Sequence, residues 1–432
     1  MILGQVIRLG GNLVMTRILV PEMFGVMSIV VAVQVTVALL LDIGIRTAII
    51  QSPRGEDPEL LNTAWTVQII RCVFIWCVTA VLAACIPLAI QIGLLPAGST
   101  WAAPELPLIL IVASLGIVIH GFESTNAVTS ERKLSLKRFV LIQLAGQVGG
   151  LILMIVLGLL TRSIWALVAS GLGSGLIVLL LTHTWLPGIR NTFAWDKGAR
   201  AELAKYGSWI LLSSSTSVLA SNADRIILGA LVDATTMGLY SIAFNLAMLA
   251  TGIGSMANSV ALPALSEQAR EDRGGFRAKY FKLRLPWDVL LLVSCGALFV
   301  LGPTLVKILY DDRYLRAGEM LQILTLSLIF YRYNFTNLAY IAAGKLSFVA
   351  ILNTAKLVTI VVFLFLFYHW FGINGALFAI ALHMLPIVPV IFYLNRELDL
   401  NSLKFEALVL LAVPVGYGIG WIVLLVANLF IT

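Results

Sequence analysis

Residues 139–160 read Phe139-Val140-Leu141-Ile142-Gln143-Leu144-Ala145-Gly146-Gln147-Val148-Gly149-Gly150-Leu151-Ile152-Leu153-Met154-Ile155-Val156-Leu157-Gly158-Leu159-Leu160, an uncharged and largely apolar run. Lys137 and Arg138 fence it on one side and Arg162 on the other. As a helix rising about 1.5 Å per residue, such a run crosses the ~30 Å hydrocarbon layer of a bilayer. Twelve comparable runs lie near 1–20, 24–50, 62–92, 105–128, 164–186, 206–232, 237–261, 286–309, 317–343, 347–369, 375–394 and 405–431. No alternating barrel pattern is present, and backbone groups in lipid must bond internally, so each run reads as a helix. Breakers fall where the chain should turn: Pro21, Pro53, Pro96, Pro104, Pro187, Gly188, Gly274, Gly275 and Gly372.

Composition agrees with lipid as the main solvent. Of 432 residues, 60% are hydrophobic and 12% charged, against about 25% charged in a soluble domain. The cysteines, Cys72, Cys77, Cys85 and Cys295, sit inside apolar runs without metal-ligand spacing and read as small buried hydrophobes. Nothing basic precedes Met1-Ile2-Leu3, so no cleavable leader is read there. Trp101, Trp185, Trp209, Trp287 and Trp370 lie near run ends, where an interfacial belt is expected.

Basic residues orient the chain. With the N-terminus in the cytoplasm, the inner connections hold nineteen Lys and Arg, from Arg46 and Arg54 through the Arg270–Arg284 cluster to Lys404, and the outer ones five. The net charge of +7 is then a cytoplasmic face for anionic membrane lipids, and no nucleic acid is required.

Two short matches recur at nearly one offset. Phe24-Gly25-Val26-Met27-Ser28-Ile29 pairs with Met237-Gly238-Leu239-Tyr240-Ser241-Ile242, and Trp165-Ala166-Leu167-Val168 with Gly375-Ala376-Leu377-Phe378. The expected organisation is an all-α polytopic membrane protein of about thirteen transmembrane helices. Two parallel-repeat six-helix bundles, 1–186 and 206–394, flank a cytoplasmic linker, 187–205, and an extra transmembrane helix follows at 405–431. The repeat maps residue 206 to a position before Met1, so the first helix reads as incomplete. Parallel repeats place a substrate site near the midplane between the halves.

Several motifs resemble a known family. Thr16-Arg17-Ile18-Leu19-Val20-Pro21-Glu22-Met23-Phe24-Gly25 is similar to a turn of bacterial polysaccharide exporters. So are Asp42-Ile43-Gly44 with Ala48-Ile49-Ile50-Gln51, Asn222-Ala223-Asp224-Arg225-Ile226-Ile227-Leu228-Gly229 with Gly238-Leu239-Tyr240, and Pro263-Ala264-Leu265-Ser266. The chain resembles the oligosaccharide flippases of the multidrug, oligosaccharidyl-lipid, polysaccharide (MOP) superfamily, in the colanic-acid and lipopolysaccharide exporter-like branch. The resemblance implies alternating-access export of an undecaprenyl-diphosphate-linked oligosaccharide across the bacterial inner (cytoplasmic) membrane. It implies no cofactor, a proton or sodium ion as coupling ion, and polysaccharide polymerase and chain-length machinery as partners. The short first helix and the single helix after the second bundle depart from the family pattern.

Ionisable groups inside a membrane are costly and are the first candidates for function. Counting along the runs puts Arg8, Arg71, Arg332 and Lys356 near the midplane, two from each half, with no obvious local acid. A cationic centre suits a diphosphate, because guanidinium groups bind phosphate oxygens in bidentate fashion. The gating or ion-coupling candidates are Asp42, Arg46, His120, Glu123, Asp224 and Arg225. Asp42 and Arg46 are four apart and read as bridging each other. His120 and Glu123 share a helical face, as a proton-sensitive pair or a polar contact between helices. Asp224 and Arg225 point to different faces, and packing and function stay equally open. Gly171-Leu172-Gly173-Ser174-Gly175 lies in an apolar run without a preceding strand, so close helix packing explains it better than phosphate binding.

Two other function classes compete. A multidrug or cation antiporter favours a cavity dominated by acids, against four bases here. A membrane-embedded polysaccharide polymerase or glycosyltransferase needs a sizeable outer loop with acid or base groups. Only Asp311-Asp312-Arg313 offers such a cluster, which a solvated loop tip also explains.

Overall fold

The computed structural model describes residues 2–271 and 273–431, with the side chains at 2, 3, 5, 6, 8, 9, 204–216, 253–260, 273 and 427–431 outside the description. The described residues form helices and turns, without a strand. They divide into two compact units, Met1–Thr235 and Thr236–Thr432.

The first unit holds α1 (Ile2–Ile18), α2 (Pro21–Leu40), α3 (Ile45–Gln51), α4 (Pro58–Gln91), α5 (Leu106–Gly121), α6 (Asn126–Arg132), α7 (Leu136–Thr161), α8 (Trp165–Thr184) and α9 (Lys197–Leu231). Local chemistry sets the starts. Pro21 opens α2 and Pro58 opens α4 at positions where a missing amide costs nothing. Asp57 caps α4 by accepting the Glu59 amide at 3.0 Å, and Asp196 caps α9 by accepting the Ala199 amide at 2.7 Å. Between α2 and α3 the backbone turns through Gly44 in the left-handed region (φ 63°), a conformation glycine adopts without strain.

α7 and α8 approach closely because glycines line the seam. A Cβ on Gly150 would lie 2.9 Å from the Ser170 carbonyl oxygen, and one on Gly173 would lie 2.6 Å from Leu153. Close packing thus accounts for the glycine-rich stretch of α8.

The stretch read as a linker, 187–205, is half helix, since α9 begins at Lys197. Its first half is an extended strap on the first unit. The Thr192 amide donates to Asn62 at 3.0 Å, the Ala194 amide to Thr66 at 3.0 Å, and the Asp196 amide to Thr63 at 3.2 Å. Alternate amides point one way along an extended chain, which is why 192, 194 and 196 dock in series.

The second unit takes in most of α10 (Ala234–Ala247), then α11 (Leu249–Glu271), α12 (Arg273–Leu309), α13 (Leu315–Thr325), α14 (Ser327–Tyr331), α15 (Asn334–Ala342), α16 (Leu346–Leu382), α17 (Val388–Asn395), α18 (Leu403–Leu410) and α19 (Ala412–Ile431). α16 bends at Gly372 (φ 58°, ψ −142°), the break the sequence predicts there. Phe276, Tyr280, Trp287, Leu291 and Cys295 of α12 pack with Leu265 of α11, Leu328 of α14 and Phe335 of α15 in one core. Trp287 therefore belongs to the core, 4% exposed, and not to an interfacial belt. Trp185 and Trp370 are exposed, as belt residues should be. α19 lies hard against α12: a Cβ on Gly296 would sit 2.2 Å from the Val413 carbonyl oxygen, and one on Gly416 would sit 2.1 Å from that of Val293.

Among the described residues, seven helices are long and apolar enough to cross a membrane, or eight if the bent pair α5–α6 is one span. The expected thirteen are not all distinct long helices. The run at 317–343 is cut into α13, α14 and α15, with a tight turn at Arg332-Tyr333 where the Tyr333 amide donates to Phe330 and the Phe335 amide to Arg332. Arg332 contributes to the cut: its Nε donates to the Ile329 carbonyl at 3.0 Å, an oxygen that a continuous helix would give to the Tyr333 amide.

Candidate functional site

Each unit carries charge inside its helices, and the two arrangements differ. In the second unit α12 places Arg284 eleven residues beyond its start at Arg273, roughly 16 Å along the axis. The sequence count had put Arg284 in a cytoplasmic connection; it is a fully buried helical residue. One turn later on the same helix stands Asp288, also fully buried, whose Oδ2 lies 3.0 Å from Arg284 Nε. The α14–α15 turn supplies Arg332, 2% exposed, whose Nη1 donates to Asp288 Oδ2 at 3.2 Å. α18 supplies Glu406, whose Oε1 accepts from Arg284 Nη1 at 2.8 Å and whose Oε2 lies 2.6 Å from Arg332 Nη2. Two guanidinium groups thus hold one carboxylate.

Aromatic residues complete this centre. Tyr333 donates its hydroxyl to Glu406 Oε2 at 3.1 Å, and its ring lies under the Arg332 guanidinium at 4.7 Å. The Tyr280 hydroxyl accepts from Arg284 Nη1 at 3.1 Å and shares a hydrogen bond with Thr336 at 2.9 Å. Phe405 packs under Arg284 at 5.5 Å. Two cations against two anions leave the group neutral, which is how four charges tolerate such burial; an unpaired one would cost several kcal/mol. Three atoms of the four charged residues are buried without a hydrogen-bond partner: Arg284 Nη2, Asp288 Oδ1 and Arg284 Nε, the last held only by its ion pair with Asp288.

In the first unit, Arg71 of α4 donates from Nη1 to Asp42 Oδ1 at 2.9 Å and from Nη2 to the Ala38 carbonyl at 3.4 Å. The same Asp42 oxygen accepts the Gly44 amide at 3.1 Å. The pair is partly open, with side-chain exposures of 20% for Arg71 and 31% for Asp42, and Arg71 Nε has no partner. The expected Asp42–Arg46 bridge is replaced. The turn at Gly44 carries Arg46 away from Asp42, and its Nε donates instead to Glu131 Oε2 at 2.6 Å.

Below Arg71, the α5–α6 break bends the chain by 61°. Trp65 donates from Nε1 to the Phe122 carbonyl at 3.2 Å, His183 Nε2 lies 2.8 Å from that oxygen, and Gln68 donates to the His120 and Gly121 carbonyls at 3.1 and 3.2 Å. The carbonyls freed by the break are thereby satisfied. His120 Nδ1 lies against Glu123 Oε1 at the end of α5, a contact on one helix end and not between helices, and an ion pair when the imidazole is protonated.

Of the remaining candidates, Lys356 is partly buried and donates from Nζ to Asn334 Oδ1 at 2.7 Å; among the described residues no carboxylate pairs with it. Asp224 is buried, and neither it nor Arg225 is a free charge. The side chain of Arg8 lies outside the described residues. The expectation that the midplane cations lack local acids is therefore corrected for Arg71 and Arg332. Three participants escaped sequence reasoning: Arg284, Asp288 and Glu406. The first two left a signal, an i,i+4 pair entering an apolar run. Glu406 left only its place near the start of the last apolar run, 122 residues from Arg284.

Known proteins are similar to this chain in sequence and in fold. A family profile described as polysaccharide biosynthesis protein matches residues 14–319. An uncharacterized membrane protein in the cps region of Klebsiella pneumoniae is 22% identical over 373 residues, covering 84% of this chain and 73% of that protein. The lipopolysaccharide biosynthesis protein WzxC of Escherichia coli (strain K12) is 20% identical over 321 residues, covering 72% of this chain and 61% of the relative. Among solved structures, an inward-facing multidrug resistance MATE family transporter of the MOP superfamily aligns with a TM-score of 0.72 at 17% identity, over 94% of this chain and 95% of that one. The lipid II flippase MurJ in an inward closed conformation aligns at 0.70 with 14% identity, over 97% and 92%. The chain is thus a polytopic all-α membrane protein with the fold of these transporters.

Proposed function

We propose, from the premise that the chain belongs to the polysaccharide biosynthesis protein family, that it is a secondary transporter and not an enzyme. Its substrate is an undecaprenyl-diphosphate-linked oligosaccharide, moved from the cytoplasmic to the periplasmic leaflet of the bacterial inner membrane for surface polysaccharide or lipopolysaccharide. The N-terminus is cytoplasmic. The count of basic residues supports this, since setting aside Arg284 as fully buried leaves eighteen against five. The family match over residues 14–319, on a fold shared with a lipid II flippase, is the observation that carries the reading.

Arg71 is the first contact for the diphosphate. Its side chain is partly exposed, so a phosphate oxygen can approach the guanidinium beside Asp42. Lys356, paired only with an amide among the described residues, is the second, and Arg8 stays a candidate on sequence grounds. Transport runs by alternating access, reset by a proton or sodium ion, and delivers the repeat unit to a polymerase with its chain-length machinery.

Deletion of the gene should leave the lipid-linked repeat unit on the cytoplasmic leaflet, resistant to periplasmic processing, and plasmid-borne protein should release it. Accumulation unchanged by deletion would contradict the proposal. A multidrug antiporter is the second reading, favoured by the fold match at TM-score 0.72. It predicts raised resistance to cationic drugs on overexpression, which the flippase does not.

A further inference from the structure

The Glu406 carboxylate stands where an external anion could stand. Its two oxygens are taken by two guanidinium groups, at 2.8 Å from Arg284 Nη1 and 2.6 Å from Arg332 Nη2. Guanidinium forks recognise carboxylate and phosphate oxygens by the same geometry. The carboxylate does not exhaust the donors, since Arg284 Nη2 is buried and unfilled. A phosphoryl group brings three acceptor oxygens where a carboxylate brings two.

The element that delivers Glu406 is lightly held. Val409 is the one buried residue of α18, while Leu403, Leu408 and Leu410 are exposed. Before it, Asp399 turns the chain in the left-handed region at φ 50°, a conformation non-glycine residues rarely take. Arg277 holds that turn by donating to Asp399 Oδ2 at 2.6 Å and to the Asn401 carbonyl at 3.0 Å. After it, α19 is fixed to α12 by the close seam at Gly296 and Gly416. α18 is the first part of one apolar span with α19, Leu403–Val426, and docks through Phe405, Val409 and one carboxylate, so its first turns can leave and return about the α19 seam.

We propose that Arg284 and Arg332 form a latent phosphoryl-anion site in the second unit, closed in this state by Glu406 of α18, which the anion displaces. The inference rests on the flippase reading, and it makes the last helix pair a latch and not an appendage. Asp288 stays with the arginines when α18 leaves, so the open site carries one net positive charge from Arg284, Arg332 and Asp288. Tyr280 and Tyr333 are the other titratable groups facing it.

The test measures binding of inorganic pyrophosphate, and separately of a short polyprenyl diphosphate, to the full-length protein in detergent. Glu406→Gln removes the competing charge and should tighten at least one ligand by about tenfold or more; adding Arg332→Gln should abolish that gain. Tyr333→Phe removes one hydrogen bond to Glu406 and frees Arg332 Nη2 of another, and should tighten binding by about twofold to threefold, which keeps the proposal testable if Glu406→Gln fails to fold. Tightening for pyrophosphate assigns a free anion as sufficient, and tightening only for the polyprenyl diphosphate assigns the lipid head group. Unchanged affinity for both ligands in every variant that folds would overturn the site, as would a fall in melting temperature of Glu406→Gln that neither ligand reverses. Wild-type protein that moves lipid-linked oligosaccharide while these variants show no tightening sinks the latch alone. Tightened binding with no translocation by wild type sinks the flippase reading alone.

Discussion

Arg71 and Arg332 look alike in the sequence, each a lone arginine in an apolar run, yet their surroundings differ. Arg71 has one acid, Asp42, and the pair keeps side-chain exposures of 20% and 31%. Arg332 is sealed at 2% exposure between two acids, beside a second arginine that is completely buried. A half-open pair can change partners at lower cost, because protein does not seal either group. A sealed quartet cannot, since removing one member strands a charge in a medium of low dielectric. The first arrangement suits contact with a passing ligand, and the second suits a locked state that opens as a unit.

The largest effect that would sharpen this contrast is expected from Glu406→Ala. It leaves two arginines facing Asp288 alone and should lower stability by about 3–5 kcal/mol, read as a fall in thermal unfolding temperature in detergent. A loss below about 1 kcal/mol would place the quartet with ordinary surface pairs. Gly296→Ala comes next. Its Cβ would fall 2.2 Å from the Val413 carbonyl oxygen, so α19 must shift, at about 1–3 kcal/mol of overpacking. Because α19 follows α18 directly, the same variant should weaken the Glu406 dock and make Cys295, buried beside the seam, react faster with a thiol reagent.

Arg71→Ala should cost less stability than either, about 1–2 kcal/mol, measured by the same unfolding assay, while abolishing surface polysaccharide. The smallest effect belongs to Arg46→Ala. Its partner Glu131 is reached from a side chain 70% exposed, and surface pairs of this kind contribute about 0–1 kcal/mol. A pH series adds a control at the cap of α4. Hydrogen bonds from Arg54 and the Glu59 amide hold the Asp57 carboxyl below its ordinary value of 3.8. Its contribution is therefore complete above that value and lost only as pH falls through the lower folded one. Hydrogen exchange at the first turn of α4 should stay slow down to about that pH and quicken below it.

Much of this architecture was legible in the sequence, for identifiable reasons. Long apolar runs need no tertiary information to be helices in lipid, so α2, α4, α7, α8 and the spans within α12, α16 and α19 follow from composition. Gly372 and Pro21 act through their own backbone restrictions and fell where expected. Pairing is a different matter. Arg71 meets Asp42 across 29 positions and Glu406 meets Arg284 across 122, and no spacing rule reaches that far. Helical spacing favoured Asp42–Arg46 instead, and failed because α2 ends before Asp42 and the chain turns at Gly44. Arg284 was misplaced because the basic stretch before it resembles a cytoplasmic loop, although it is the first third of α12. The breaks at Leu326 and at Arg332-Tyr333 carry no proline or glycine to find, and at the second Arg332 itself takes the carbonyl that a continuous helix would use.

The most direct test is translocation in proteoliposomes loaded with a fluorescent polyprenyl-diphosphate oligosaccharide, read by its accessibility to a membrane-impermeant quencher. Wild-type protein should move the lipid between leaflets, and Arg71→Ala should slow it by about tenfold or more at an unchanged folded fraction. Equal rates for the two proteins, or no movement by wild type, would contradict the account.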